Sequence, residues 1–144
     1  MNAKHATFLH PVVNDARGRV MCGPAAIAMI TGRTLQQAKE AVYAEKGKRH
    51  VCRMSMGLVL DVLLSLGWIC SESVLGGRPT FAAWLREHDR GDDVWLVVLT
   101  NHFMVVQGDV AGDNVTMRPV PLAEAPNRRA RVLGAYRVRQ RRRP

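Results

Sequence analysis

Two residues of this chain have the types and neighbours that suit nucleophilic chemistry: Cys22 and, eighty residues later, His102. Cys22 lies in Arg19-Val20-Met21-Cys22-Gly23-Pro24-Ala25-Ala26-Ile27-Ala28-Met29-Ile30-Thr31-Gly32. The apolar run predicts a short helix over Pro24–Ile30, opened by a proline that needs no hydrogen-bond partner there and stopped by Gly32. Cys22 then falls just ahead of a helix N-terminus, where free N–H groups and the helix dipole favour a thiolate. Taken alone, a single cysteine is more often a small core hydrophobe. The same holds for His102, which alone would be an ordinary residue beside an apolar strand. Together they supply a thiol and an imidazole to take its proton, the pair that thiol catalysis needs.

The elements around them fix whether they can meet. Residues 1–21 are expected to be an extended or loop entry. Thr34 and Gln37 have the spacing of a capping box, opening a helix that runs to about Lys46 and ends at Gly47. Leu35, Ala38, Ala41 and Val42 would share its apolar face. Ser55 suits the cap of a broadly apolar helix carrying Leu58, Val59, Val62, Leu63 and Leu66 and ending at Gly67. Trp68–Val74 is expected as a strand, Gly76-Gly77 as a turn, and Thr80 as the cap of a short helix to about His88. The pattern then changes. Val94–Leu99 and His102–Gln107 predict two apolar strands, Gly108–Asp113 a turn, Val115–Val120 a third strand and Arg131–Val138 a last one. Helices first and an antiparallel sheet second predict an α+β fold. A histidine at the start of a sheet strand can face a helix N-terminus packed on that sheet.

At 144 residues, with 47% apolar residues, the chain is expected to form one domain over residues 1–138, with a basic, disordered tail over 139–144. Its apolar runs are too short to cross a bilayer, and its first twenty residues lack the run of a signal peptide. No membrane partner and a cytoplasmic location are therefore expected. Three cysteines with no CxxC spacing and five scattered histidines argue against a disulfide framework and against a metal site, and no cofactor is expected. The net charge of +9 is concentrated: residues 128–144 hold eight arginines and no acid, leaving the rest of the chain close to neutral. Arg139, Arg141, Arg142 and Arg143 could hold nucleic acid or an acidic partner. No aromatic residues are interleaved for base stacking, which favours a merely solubilising tail. Cys52 lies among cations beside His50, a setting that lowers a thiol pKa. Cys70, Trp68, Trp84 and Trp95 are expected in the core, and Asp61 on an exposed helix face.

Cys-Gly-Pro-Ala-Ala-Ile-Ala-Met opening a helix, the Leu58–Gly67 helix, and Asn-His-Phe-Met-Val-Val before a Gly/Asp turn resemble the papain-like cysteine peptidases. The outline is most similar to the compact branch that trims double-glycine leader peptides. It spans roughly residues 14–121. The resemblance implies Cys22 as nucleophile, His102 as general base, an acyl-thioester intermediate, and a peptide or protein substrate. It further implies a bacterial or bacteriophage source, hence a host cytoplasm or virion. Two positions depart from the family pattern. The oxyanion-hole glutamine, about six residues before the cysteine, is replaced by Ala16, so Asn14 or Asn101 is expected to supply an amide beside the Cys22 N–H. The acid that orients the histidine is replaced by Arg118, followed by Pro119. Asp113 is the preferred substitute, ahead of Asp109 and Asn114, although all three also suit a simple turn. The departures leave two further readings open: a papain-like scaffold used for binding or structure, and nucleic-acid binding through the arginine tail with Cys22 only structural.

Overall fold

The computed structural model describes residues 8–49 and 54–141. Helix α1 (Cys22–Thr31) is made of small and aliphatic residues, and Gly23–Ile30 are all buried, so it is the central helix of the molecule. Its first backbone bond closes from the Ala25 N–H to the Met21 carbonyl. Cys22 is thus the first residue of the helix and not the one ahead of it, and Pro24 is its third. Proline is accommodated there because the first turn has no carbonyl partner for its missing N–H. The helix ends at Gly32, whose φ of 79° needs no Cβ.

Helix α2 (Leu35–Lys46) is opened by the reciprocal capping box of Thr34 and Gln37 and buries Leu35, Ala38 and Val42. Helix α3 (Met56–Ser65) is capped by Ser55 and buries Val59, Val62 and Leu63. Strand β1 (Trp68–Ser73) follows, then α4 (Phe81–Glu87), whose cap is Thr80. The remaining strands are β2 (Val94–Leu99), β3 (His102–Gln107), β4 (Val110–Gly112), β5 (Val120–Pro121) and β6 (Val132–Gln140). They form one antiparallel six-stranded sheet in the order β1-β6-β2-β3-β4-β5.

The two-residue period of the central strands divides the apolar side chains between two layers. Leu96, Phe103 and Val105 join α1, α2 and α3 in one core. Trp95, Val97, Leu99, Met104 and Val106 join Phe81, Trp84 and Leu85 of α4 in the other. Trp84 and Trp95 are buried, Trp68 is half-buried against the first core, and Asp61 is exposed, each in its expected setting. The expected α+β arrangement, helices followed by an antiparallel sheet, is the one observed.

Two strand assignments need correction. Val115–Val120 is not a strand. The hairpin turns at Gly108 and Asp109, β4 occupies Val110–Gly112, and Asp113–Thr116 turns back before the short β5. The Asp113 carboxylate accepts the N–H groups of both Val115 and Thr116, which bends the chain where an alternating pattern suggested extension. Val115, the residue that made the segment look like a strand, is 73% exposed. At the other end, β6 continues to Gln140, two residues into the segment expected to be a disordered tail. Arg139 and Gln140 pair with Ile69 and Trp68 of β1, and the Arg141 N–H donates to the Gly67 carbonyl. No helix among the described residues is long and apolar enough to cross a membrane.

Candidate active site

Cys22 stands at the N-terminus of α1, half-buried, where the chain changes from an extended entry segment to a helix. That segment is anchored along its length. His10 N–H donates to the Met29 carbonyl, Val12 N–H to the Met117 carbonyl, and Leu35 N–H to the Val13 carbonyl. Asn114 adds a further tie, its Nδ2 donating to the Val20 carbonyl at 3.1 Å. The residues leading into Cys22 are therefore fixed against the β4–β5 connection.

His102 opens β3, opposite Leu99 across the β2–β3 hairpin. The tight turn between the strands requires Asn101 in the left-handed region at φ 56°, a conformation that asparagine tolerates better than most residues. Asp113 follows β4, the strand paired with β3, and is 1% exposed. Its Oδ2 lies 2.8 Å from His102 Nε2. Its Oδ1 accepts the Val115 and Thr116 N–H groups, both at 2.9 Å, and its own N–H donates to Thr116 Oγ1. The carboxylate is thus held from both sides. With Nε2 directed at Asp113, Nδ1 is the ring nitrogen left for an interaction with Cys22.

The electrostatics follow from this line of three. Burial pushes the Cys22 thiol up, but the His102 hydrogen bond, the Phe103 N–H, the imidazolium charge and its own N–H outweigh it and bring the thiol below its ordinary value. The Asp113 hydrogen bond leads in raising His102, the Cys22 hydrogen bond adds to it, burial opposes, and the result is about 9. Burial also raises Asp113, and the His102 bond and the two N–H donors more than offset it. Each shift favours the state in which thiolate, imidazolium and carboxylate coexist. By contrast, burial alone lifts Cys70 to about 11, the behaviour of a structural thiol.

A cleft of about 750 Å³ opens at Cys22 and His102. Met54, Met56, Val98 and Leu133 form an apolar wall, and Arg19, Lys39, Asn101 and Asn114 supply polar groups. Asn14 is exposed and does not line this cleft, which corrects its expected place beside the thiol. Its neighbour Asp15 instead caps α2 through the Gln36 N–H. Of the two amides considered, only Asn101 lies at the cleft. Arg118 is exposed, with its carbonyl accepting Thr116 Oγ1, and Asp109 is an exposed residue of the hairpin turn. Asp113 alone of the candidate acids reaches His102. The Phe103 N–H on the sulfur went unforeseen because no side chain signals it. Lys39 was hidden on an otherwise unremarkable polar face of α2.

Of the arginine tail, Arg139 is committed to a bidentate ion pair with Asp93 at 3.1 and 3.2 Å. Arg142, Arg143, His50 and Cys52 lie outside the described residues. Among the described residues no cluster of three or more His, Cys, Asp or Glu is placed to hold a metal ion.

No protein-family model matches this chain, and no curated protein matches it. Among solved structures it is similar to a double glycine motif protease from an AMS/PCAT transporter, solved in complex with the leader peptide. The two share 16% identity and superpose with a TM-score of 0.52, covering 90% of this chain and 91% of the other. At that identity the likeness shows the fold, which is papain-like: N-terminal helices, the first bearing a cysteine at its start, packed on a C-terminal antiparallel sheet.

Proposed function

We propose that this protein is a cysteine peptidase or amide hydrolase in which Cys22 is the nucleophile, His102 the general base and acid, and Asp113 the residue that orients the imidazole. One observation carries this reading: Cys22, at a helix N-terminus, lines one cleft with His102, whose Nε2 is 2.8 Å from the buried Asp113 carboxylate. A purely structural cysteine would not need an imidazole on its sulfur, nor a buried acid behind that imidazole.

The chemistry follows from the protonation states. The Cys22 thiolate attacks the carbonyl carbon of an amide, and negative charge passes to the carbonyl oxygen. The imidazolium of His102 gives its proton to the departing nitrogen as the C–N bond breaks, leaving an acyl-thioester and a neutral His102. A water then attacks the thioester carbon, His102 takes one of its protons, and the acid product leaves and gives its remaining proton to solvent as the thiolate and imidazolium are restored. The Cys22 N–H, at the first position of α1, has no helical acceptor and is one donor for the oxyanion. A peptide is the substrate class to try first, since the similar protease was solved with a leader peptide.

Ala16, standing where the family pattern has its glutamine, favours a second reading: a papain-like scaffold that binds a peptide and turns it over slowly or not at all. Losing one oxyanion donor lowers rates by roughly a hundredfold to a thousandfold. The test is cleavage of a proteome-derived peptide library followed by mass spectrometry, with Cys22→Ala and His102→Ala as controls. Cleavage products made by the wild type and absent from both variants support the peptidase. A library left intact by a wild type whose Cys22 is nevertheless an activated thiolate supports the binding scaffold.

A further inference from the structure

The cleft at Cys22 is electrostatically one-sided. Among the described residues, its charged lining residues besides the His102 imidazole are Arg19 and Lys39, and no Asp or Glu lines it. Other cations near acids are paired with them: Arg49 with Glu40, Arg86 with Glu87, and Arg139 with Asp93. Among the described residues neither Arg19 nor Lys39 has a carboxylate within ion-pair range, and Lys39 Nζ donates only to the Arg17 carbonyl at 3.0 Å. The catalytic line does not neutralise them. The Cys22 thiolate and the His102 imidazolium balance each other, and the Asp113 charge lies behind the imidazole, buried and out of the cleft.

We propose that Arg19 and Lys39 select a substrate bearing a carboxylate close to the scissile amide. This deepens the peptidase reading and rests on it. Arg19 is three residues ahead of the nucleophile, Lys39 lies on α2 one turn before Tyr43, and both line the cleft that holds the reacting sulfur. Met54, Val98 and Leu133 give the same cleft an apolar lining. Like charges in a cleft with low-dielectric lining focus their field on whatever enters it, and a guanidinium matches a carboxylate with two parallel hydrogen bonds. The carboxylate has two sources, an Asp or Glu side chain or the free C-terminus of a peptide. Both present the same group to Arg19 and Lys39.

Two alkylating reagents of equal reach and different charge test this without a known substrate. The rates at which iodoacetate and iodoacetamide label Cys22 are measured by mass spectrometry for wild type, Arg19→Gln/Lys39→Gln and Arg19→Glu/Lys39→Glu, with thermal unfolding to show that each is folded. His102 is present in all three, so its charge is common to them. The ratio of iodoacetate to iodoacetamide rates is expected to fall about tenfold in the glutamine variant and further in the glutamate variant, with the wild-type ratio decreasing as salt is added. A ratio that stays within about twofold across the three overturns the proposal. If Cys22 instead titrates as an ordinary thiol, the peptidase reading fails while the ratio still reports the charge of the cleft. Binding to the Cys22→Ala variant then assigns the source. The probes are fluorescent acetyl-Leu-Ala-Glu amide against its Gln counterpart, and acetyl-Leu-Ala-Ala as free acid against its amide. Tighter binding of the Glu peptide points to a side chain and tighter binding of the free acid to a chain terminus. Equal binding within both pairs overturns the proposal.

Discussion

At the scale of single residues, the proposed function rests on three protonation states that hold one another in place. His102 is raised to about 9 because Asp113 accepts from Nε2 and Cys22 engages the other nitrogen. The proton that would serve as general acid in the proposed reaction is therefore retained until the pH approaches 9, and the thiolate is favoured below the ordinary thiol range. Peptide cleavage should give a bell-shaped profile of kcat/KM, its alkaline limb near pH 9 marking loss of the proton from the Cys22–His102 pair. Asp113→Asn should move that limb to lower pH and reduce kcat on the order of a hundredfold, since it removes the group that fixes the imidazole. A limb unmoved by the substitution would mean that Asp113 acts only in its turn. The same shift sets a stability window. A histidine raised on folding stabilises the native state fully below its unfolded value near 6.5, and that contribution is lost as pH rises through about 9. The difference in Tm between wild type and Asp113→Asn should accordingly be large at pH 6 and shrink above pH 9.

At the scale of elements, the site depends on α1 and β4 packing without a gap. A Cβ at Gly112 would overlap the Met29 side chain and the Arg118 carbonyl, so β4 lies directly on α1 at the residue before Asp113. Gly112→Ala should destabilise the protein by about 1–3 kcal/mol in urea unfolding and lower the reactivity of Cys22. Thr34→Ala removes the capping box of α2 and should cost about 1 kcal/mol while leaving the alkylation profile of Cys22 in place. The helix caps, the apolar helix faces and the paired strands β2 and β3 were legible in the sequence because each rests on a local pattern. The connection after β3 was not. Gly108, Asp109 and Asp113 all suit turns, and only the register of the β3–β4 hairpin, with Val105 opposite Gly112, decides which of them turns the chain. Asp113 was legible as a candidate acid from its distance to His102 along the chain, although the expected strand beyond it was wrong. Asn14 was a poor choice for the oxyanion because nothing local reveals that its segment runs past the cleft to cap α2 through Asp15.

At the scale of the whole molecule, the sheet separates the candidate site from its support. The face carrying α1, α2 and α3 holds the cysteine and one wall of the cleft. The other face is sealed by α4, where Phe81, Trp84 and Trp95 pack with ring centroids 6.3 and 5.8 Å apart along the chain Phe81–Trp84–Trp95. Trp84→Ala should lower stability by about 3–5 kcal/mol. Below its reduced Tm, the apparent pKa of Cys22 should stay at its wild-type value, because no residue of α4 lines the cleft. A shift in that pKa would show that the two layers are coupled through β2 and β3. The arginine-rich end of the chain belongs partly to this scaffold, since Arg139 closes on Asp93 at the start of β2.

The central claim is that Cys22 and His102 form an ion pair. Its most direct test is the pH dependence of Cys22 alkylation by iodoacetamide, read peptide by peptide in mass spectra, for wild type and His102→Ala. The account predicts that wild-type Cys22 reacts at a pH well below the ordinary thiol value, and that His102→Ala moves its apparent pKa up toward about 8.5. A wild-type Cys22 that titrates like a free thiol, or a profile that His102→Ala leaves in place, would contradict it.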